Sequence, residues 1–364
     1  MLPGCLDSLR GVADELVVVD TGSTDHTVEI ARRAGARLGH FAWCDDFAAA
    51  RNATLDLATG RWVLSIDADE RLVGPGDRHV DGANVHRVLA SNVADVFQIA
   101  IRSVMADSSG ALGEEMDCVR LWRHHDRHRY TGTVHEQVLP CPGDRLALGR
   151  GLTLLHLGYT PRMVATKRKN ERNLALLQPA VTAKPRDAHL QFQLGLELCS
   201  CGRLNEAAEH LRIAWEAIPV PSPAYWAPLA FRLVDVLTEI GALDEATSIN
   251  DELVREHPRT SLWWAQRGRL LRRRGELPEA VESLERALAA PDDDPQMFYR
   301  NHAALTAARI NLGLCYESLG NQAKAVDCYR TSLLRDPDNR VAAERLSHIV
   351  GRASGFAHLP LGVD

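Results

Sequence analysis

The stretch that decides the fold of the amino-terminal half is Val17–Asp25, which reads VVVDTGSTD. Together with Glu15 and Leu16, its first residues form a short β-branched run that ends in an acid, which is typical of a strand buried on both faces. The remainder, Thr21–Asp25, has turn residues and candidate helix N-caps, and a helical pattern follows from about Thr27 to Ala34. The sequence therefore predicts a strand, a turn and a helix in succession.

Two further strands are predicted in the same half of the chain. One covers Arg61–Ile66 and is followed by Asp67, Asp69 and Glu70, and the other lies near Val96–Ile101. Acids that follow strands are typical of an open α/β sheet, in which ligands bind beyond the carboxyl ends of the strands. We therefore predict a Rossmann-type α/β domain over residues 1–165.

The second half of the chain follows a different pattern, which is helical and repetitive. A motif with Gly, three variable residues, an acidic or basic residue and Ala begins at four glycines, Gly202, Gly241, Gly275 and Gly320. The interval from Ala246 to Ala280 is 34 residues, which is the tetratricopeptide period. We therefore predict a helical connector over 166–186, about four tetratricopeptide repeats over 187–350, with loops at Pro219–Pro223 and Pro291–Pro295, and a tail over 351–364.

Composition and charge narrow the class of protein. The 364 residues have a formal net charge of -6, which does not favour binding to nucleic acid. The eight cysteines have neither zinc-site spacing nor the pattern of a disulfide framework. The chain also has no recognisable signal peptide and no apolar run of about 18 residues. We expect a cytoplasmic protein without a transmembrane segment.

Asp67 and Asp69 form an Asp-x-Asp (DXD) motif directly after a predicted strand. Alternate residues of a strand face the same way, so both carboxylates are expected on one side. Paired carboxylates repel each other unless a cation lies between them, and their oxygens suit Mg²⁺ or Mn²⁺. Such an ion can neutralise charge on a leaving diphosphate.

The motifs Val17–Asp25, Asp46–Asn52 and Ala58–Glu70, in this order, resemble the nucleotide-binding half of the family 2 glycosyltransferases, which have the GT-A fold. The resemblance implies that Asp20 contacts the base or ribose, that Asp67 lies against the ribose and that Asp69 holds the metal. The nucleotide-sugar site implied in this way consists of Asp20, Thr21, Asp25, Arg51, Asn52 and Asp67.

Arg120–Arg123, Tyr130–Glu136 and His156–Tyr159 look like the second half of family members that carry tetratricopeptide repeats. His156 is a candidate metal ligand, and the alternative is a histidine in the core. Glu136 is the candidate general base for the acceptor proton, with His135 as its rival. Glu115 and Asp117, in a predicted loop, are two further acids within possible reach of the site.

The chain departs from the family pattern at two places. Many members have a second acid where this chain has Thr21. The family also begins with an apolar strand, whereas Met1–Leu9 already resembles the first helix. We expect the start of the domain to lie upstream, because loss of that strand would leave two strand edges without ladder bonds.

The expected function is transfer of a sugar from a nucleotide diphosphate sugar, preferably a UDP-sugar, to an acceptor, with Mn²⁺ or Mg²⁺ as cofactor. The repeats would present a peptide or protein acceptor in their concave groove. The alternative is a tetratricopeptide scaffold with an inactive, truncated transferase domain. A nucleotidyltransferase is a third interpretation, but the glycine-rich, lysine-bearing loop typical of that class is not present near the start.

Overall fold

A computed structural model describes residues 1–104, 112–132, 136–157, 167–219, 225–289, 299–336 and 339–355. An amino-terminal α/β region is followed by a helical array, which confirms the predicted combination of α/β and all-α folds. The loops expected around Pro219–Pro223 and Pro291–Pro295 lie largely outside the described residues, as does most of the expected tail.

The amino-terminal region alternates helices and strands as far as residue 90 and is mainly strand after that. The three strands and the helix expected from the sequence are all present, although their ends differ by a few residues. In chain order the elements are α1 (Leu2–Ser8), β1 (Val17–Asp20), α2 (Thr27–Arg33), β2 (Arg37–His40), α3 (Phe47–Leu57), β3 (Trp62–Leu64), β4 (Glu70–Val73), α4 (Gly82–Ala90), β5 (Val96–Val104), β6 (Leu112–Arg123), β7 (Tyr130–Thr131), β8 (Gln137–Val138) and β9 (Leu146–His156).

These strands form a mixed set of sheets. β1 and β2 make a parallel pair, and β7 and β8 make an antiparallel pair. The largest sheet contains β6, β5, β9 and β4 in that order, with β3 antiparallel to the carboxyl-terminal part of β6. Within that sheet β5 and β9 are parallel, whereas β5–β6 and β4–β9 are antiparallel.

Within the described residues, the helical array consists of a connector helix, four helix pairs and a last helix. Its elements are α5 (Lys167–Ala183), α6 (Ala188–Ser200), α7 (Leu204–Glu216), α8 (Trp226–Ile240), α9 (Leu243–Glu256), α10 (Ser261–Arg274), α11 (Leu277–Ala289), α12 (His302–Ser318), α13 (Gln322–Arg335) and α14 (Arg340–Gly355). The helix pairs have the helix–turn–helix form expected of tetratricopeptide repeats.

The glycines and alanines of the repeated motif have different structural roles. Gly241 and Gly275 adopt φ angles of 85° and 83° directly after α8 and α10, a left-handed conformation that a residue with a Cβ rarely adopts. Ala246 and Ala280 have no exposed surface, so each is the small residue at which two helices meet. These positions therefore set both the turn and the close packing of each repeat.

A short strand from the array joins the amino-terminal sheet. β10 (Tyr299–Asn301) lies between the third and fourth helix pairs and pairs antiparallel with Glu114–Met116 of β6. Asn301 then caps α12, because its side-chain oxygen accepts a hydrogen bond from the backbone N–H of Ala304 at 2.8 Å. The sheet and the array are thus joined by backbone hydrogen bonds as well as by the covalent chain.

No helix in the described ranges combines the length and the apolar character that crossing a lipid bilayer requires.

Candidate functional site

Helix α3 carries the Arg51 and Asn52 predicted from the sequence. Its first turn is capped by Asp46, whose carboxylate accepts a hydrogen bond from the backbone N–H of Ala49 at 2.9 Å. The Asn52 amide donates to the Tyr130 carbonyl at 3.0 Å and accepts from the Tyr130 N–H at 2.9 Å. In this structure Asn52 therefore fixes β7 against α3.

Arg51 joins two of the predicted site residues. Its Nη2 donates to Asp67 Oδ1 at 2.6 Å, and its Nε donates to Glu136 Oε1. The guanidinium also lies over the Tyr130 ring, 5.4 Å from the centroid. Side chains from α3, from the turn after β3 and from the residue just before β8 thus meet at Arg51.

A second arginine, Arg120 on β6, contacts two carboxylates of the site. Its Nη2 lies 3.4 Å from Asp67 Oδ2 and 3.0 Å from Glu70 Oε1. Burial by itself would raise the pKa of Asp67, but Arg120 and Arg51 outweigh it and lower that pKa to about 2. Burial has the larger effect at Glu70 and raises its pKa above the usual range, against the opposing charge of Arg120.

Asp69 has a different partner from Asp67. Its Oδ2 lies 3.3 Å from His156 Nε2, and each of the two side chains is about one quarter exposed, 25% and 24%. This hydrogen bond lowers the pKa of Asp69 and raises the pKa of His156. His156 is half-buried, and its role as a metal ligand stays a prediction.

The expectation that Asp67 and Asp69 face the same way as strand residues is wrong. β3 ends at Leu64, and the two acids lie in a turn in which the Glu70 N–H donates to the Asp67 carbonyl at 2.9 Å. Strand alternation does not hold in a turn. One carboxylate is therefore neutralised by arginines, while the other lies beside His156.

Asp69 and His156 are the two residues of this site that could hold a divalent ion, and their separation can be compared with ligand spacing. In octahedral coordination with bonds of about 2.1 Å, adjacent ligand atoms lie about 3.0 Å apart, close to the observed 3.3 Å. A carboxylate oxygen and an imidazole nitrogen together suit Mn²⁺, and oxygen donors suit Mg²⁺. Phosphate oxygens and water would supply the remaining ligands.

The two acids at and after the end of β1 accept hydrogen bonds from backbone N–H groups of the residues that follow them. Asp20 accepts hydrogen bonds from the backbone N–H groups of Gly22 and Ser23, each at 3.1 Å, and hydrogen bonding to Ser23 lowers its pKa. Asp25 accepts from the Thr27 N–H at 3.0 Å, where α2 begins. Thr21 is exposed and lines a large cavity beside these turns.

Two of the remaining candidates, Glu115 and Asp117, lie in a strand where a loop was predicted. A third candidate lies outside the described residues. Glu115 and Asp117 belong to β6, opposite Arg102 and Ala100 of β5, and Glu115 Oε2 accepts from Arg102 Nε at 2.9 Å. The prediction of a loop is wrong because the ladder with β5 continues through both acids. His135 lies outside the described part of the chain.

Three residues that complete the site, namely Glu70, Arg120 and Tyr130, lie in motifs quoted from the sequence but were given no role there. Glu70 Oε2 accepts from the Asp67 N–H at 2.8 Å, and the Tyr130 hydroxyl donates to Ser65 Oγ at 2.5 Å. The available signal was Arg120 itself, a charged residue between the apolar neighbours Val119 and Leu121 of a strand. The cavity of about 620 Å³ is lined at this end by Thr21, Arg51 and Asp67, and its size suits a small-molecule ligand.

Comparisons with known proteins agree with this architecture. Residues 1–72 match the family described as Glycosyl transferase family 2, and residues 264–297 and 307–339 match tetratricopeptide repeat families. A TPR repeat-containing protein of Synechococcus elongatus is 30% identical over 302 residues, which cover 80% of this chain and 72% of that protein. The chain belongs to the same family as this TPR repeat-containing protein, and within it a family 2 glycosyltransferase match precedes tetratricopeptide repeat matches.

Other relatives are similar over shorter parts. The SPbeta prophage-derived glycosyltransferase SunS of Bacillus subtilis is 28% identical over 216 residues, which cover 57% of this chain and 48% of SunS. The chain thus spans about half the length of that relative. Among solved structures, YrrB, described as a TPR protein with an unusual peptide-binding site, gives a TM-score of 0.37 at 19% identity over 50% of this chain and 86% of YrrB.

Proposed function

We propose that this chain binds a nucleotide diphosphate sugar beyond the carboxyl ends of β1 and β3 and transfers the sugar to an acceptor. The observation that carries the proposal is the position of Arg51, which contacts Asp67 and Glu136 from two other segments of the chain. A UDP-sugar is the favoured donor. The family 2 glycosyltransferase domain at residues 1–72 supports this class of donor.

Arg51 and Asp67 would hold the nucleotide. The carboxylate of Asp67 is ionised at neutral pH because its pKa is low, so it accepts hydrogen bonds from ribose hydroxyls. Arg51 provides a fixed positive charge for phosphate oxygens. When Arg51 turns toward phosphate, its bond to Glu136 is released.

Asp69 and His156 would hold Mn²⁺ or Mg²⁺, as their separation of 3.3 Å allows. When bound, such an ion neutralises the charge that builds on the leaving diphosphate. Glu136, whose side chain is only 9% exposed, would accept the proton of the attacking hydroxyl or thiol. His135, the adjacent residue, remains the rival for that role.

The acceptor would enter between the β7–β8 pair and the array. Gln137, next to Glu136, lies with its Nε2 3.4 Å from His189 Nε2 of α6. The His189 ring is 5.0 Å from the Tyr225 ring, which stacks on Phe192 at 5.7 Å. This strip of rings begins beside the proposed base, which favours a peptide or protein acceptor lying along the repeats.

The first test is a thermal-shift titration with UDP and Mn²⁺, repeated with GDP. Saturation at about 100 times the dissociation constant stabilises the folded state by about 2.7 kcal/mol. We expect a metal-dependent shift that Asp69→Ala abolishes and that Glu29→Gln, a control at a carboxylate of α2 whose side chain is 47% exposed, leaves intact. If neither nucleotide shifts the melting temperature, the scaffold alternative gains support.

The second test separates binding from chemistry. With a UDP-sugar donor, we expect Glu136→Gln to retain the UDP-dependent shift and to lose at least about 100-fold in the rate of sugar transfer or donor hydrolysis. Full activity of this variant would remove Glu136 from the role of base and leave His135 as the candidate.

A further inference from the structure

A turn after β8 brings a cysteine and an aspartate together. Residues 141–144 read Cys-Pro-Gly-Asp, and the Asp144 N–H donates to the Cys141 carbonyl at 3.0 Å. Gly143 has a φ of 90°, which indicates a type II turn with Pro at its second position and Gly at its third. The Cys141 N–H also donates to Asp144 Oδ2 at 2.6 Å. The turn therefore holds the Cys141 and Asp144 side chains close to each other.

A histidine from before β7 joins these two residues. His128 Nε2 lies 2.8 Å from Asp144 Oδ2, and the two side chains are 1% and 0% exposed. One ligand atom from each of His128, Cys141 and Asp144 lies within 4.8 Å of the other two. Imidazole nitrogen, thiolate sulfur and carboxylate oxygen are the side-chain ligands that Zn²⁺ takes in proteins. The three residues are therefore a candidate zinc site.

The hydrogen bonds of His128 decide which ring nitrogen carries a hydrogen. His128 Nδ1 lies 2.8 Å from the Arg123 carbonyl oxygen, which can only accept, so Nδ1 is the donor. In the neutral imidazole, Nε2 then has a lone pair that faces a carboxylate oxygen of Asp144. These two groups repel each other unless a proton or a metal ion lies between them. Histidines that bind a metal through Nε2 have this same Nδ1–H bond to a carbonyl or carboxylate.

The other two candidate ligands have orienting contacts as well. Arg127 Nη2 donates to Asp144 Oδ1, and Asp144 Oδ2 is the oxygen next to His128. Cys141 Sγ lies 3.4 Å from the Arg127 carbonyl oxygen. Contacts of this kind, made by atoms outside the ligand shell, hold the ligands of metal sites in place. A water molecule would supply the fourth ligand of a tetrahedral ion.

The spacing and the charges of the cluster suit Zn²⁺. Bonds of about 2.0–2.1 Å to nitrogen and oxygen place adjacent ligands of a tetrahedral ion about 3.3 Å apart. The 2.8 Å between His128 Nε2 and Asp144 Oδ2 would therefore open by about 0.5 Å. A thiolate and a carboxylate together balance the charge of the ion, and a thiolate ligand favours Zn²⁺ over Mg²⁺. The spacing of the cysteines gave no sign of this site because it contains a single cysteine.

The cluster lies at the base of the β7–β8 pair. His128 comes just before β7, and Cys141 comes shortly after β8. Within the described residues the ladder of this pair has only two residue pairs. A two-stranded pair is marginally stable by itself in water. An ion bound across its base would therefore stabilise the segment that carries Tyr130 and Glu136.

We propose that His128, Cys141 and Asp144 bind one Zn²⁺ ion through Nε2, Sγ and a carboxylate oxygen, and that this ion fixes the β7–β8 segment. Binding releases the thiol proton of Cys141 to solvent, because the thiolate is the ligand. The inference rests on this cluster alone, and it is independent of nucleotide binding, of the ion proposed beside Asp69 and of sugar transfer.

The test uses the full chain with Asp69→Ala, so that an ion beside His156 does not contribute, and it omits nucleotide. Co²⁺ is the first probe, because a bond between Co²⁺ and a thiolate gives charge-transfer absorption in the near ultraviolet. Competition with Zn²⁺ then gives the zinc affinity. We expect one Co²⁺ per chain with this absorption, its displacement by Zn²⁺, and a melting temperature that rises with Zn²⁺.

Two variants in the same background locate the ligands. Cys141→Ser should lose the absorption and at least about 100-fold in zinc affinity, because even the loss of an outer contact costs about 10–100-fold. Asp144→Asn, which keeps an acceptor oxygen for the Cys141 N–H, should also lose zinc affinity. The matched control is Cys44→Ser, at an exposed cysteine, which should retain the absorption and the affinity. Circular dichroism without metal checks that each variant is folded.

Amide hydrogen exchange tests whether the ion fixes the segment. We expect Zn²⁺ to slow exchange in β7 and β8 by at least about tenfold, and to have no such effect in Cys141→Ser. Absence of the cobalt absorption would overturn the proposal and leave an ordinary ion pair between His128 and Asp144. Absorption that persists in Cys141→Ser would overturn it by assigning the ion to another cysteine. Zinc binding that leaves exchange unchanged would overturn the stabilising role.

Discussion

The helical array and the amino-terminal sheet region build their cores in different ways. From Leu174 to Ile349 the buried apolar residues of the array form one continuous cluster. The sheet region has two smaller clusters, one on each face, and none of the residues of β1 or β3 is fully buried. A repeat buries its residues against its neighbours in sequence, whereas a sheet depends on partners that are distant in sequence.

The largest effect is expected in the array. Trp263→Ala removes a side chain with no exposed surface, and the resulting cavity should lower the free energy of unfolding by about 3–5 kcal/mol. The matched control is Trp43→Ala, at a tryptophan in the sheet region that is 36% exposed, where we expect about 1 kcal/mol or less. Urea unfolding followed by circular dichroism measures both. Equal losses would contradict the difference between the two regions.

In the sheet region we expect the largest loss of stability when a buried charged side chain is removed. Arg120→Leu leaves Glu70, which is 1% exposed, and Asp67 without a shared cation, and breaking such a buried pair costs about 3–5 kcal/mol at pH 7. Arg10→Leu, at an exposed pair with Asp7, is the control and should have little effect.

The Arg120→Leu deficit should depend on pH. Burial already raises the pKa of Glu70, and removal of Arg120 raises it further. A carboxyl group whose pKa is higher in the folded state favours folding when protonated, and it destabilises as pH rises through that pKa. The deficit should therefore be smaller at pH 5 than at pH 7, measured in metal-free buffer. A deficit that grows on acidification would show that Glu70 is not the group responsible.

Substitutions at two glycines, one in each region, test how closely the backbone is packed there. A Cβ at Gly82 would lie 1.7 Å from the Gly11 carbonyl oxygen, so Gly82→Ala should cost about 1–3 kcal/mol as the loop before β1 moves. Gly351 of α14 has no atom within 4 Å of such a Cβ, and Gly351→Ala should stabilise by up to about 1 kcal/mol. Thermal unfolding measures both changes in stability, which should have opposite signs. Destabilisation of similar size at both positions would contradict this account.

The smallest effect is expected on the surface of the array. Arg273 pairs with Glu239 at 2.8 Å with both side chains exposed, and Arg273→Gln should cost only about 0.2–1 kcal/mol. The cost should shrink further at about 1 M salt, where screening acts over about 3 Å. Arg255→Gln, at a pair with a 3.9 Å separation, is the control. A loss that persists at high salt would indicate packing by the arginine stem instead of charge.

The sequence predicted those features that depend on neighbouring residues. The repeats were readable because Gly241, Ala246 and their counterparts act within a single helix pair, and the strand at Val17–Asp20 was readable from its composition. The different partners of Asp67 and Asp69 could not be predicted. They depend on where β3 ends and on two arginines contributed by α3 and β6. The antiparallel pairing of β6 likewise has no local signal, since strand partners are chosen by tertiary packing.

The pairing of β10 with β6 sets an order of events during synthesis. About 180 residues separate the end of β6 at Arg123 from Tyr299, so the ribosome needs roughly 9–35 s to make the stretch between them. During that time the amino-terminal half of β6 lacks its β10 partner. Three repeats are synthesised in the same interval. Nascent chains halted before Tyr299–Asn301 has left the ribosome should therefore expose this edge to chaperones, and longer chains in which this strand has left the ribosome should not.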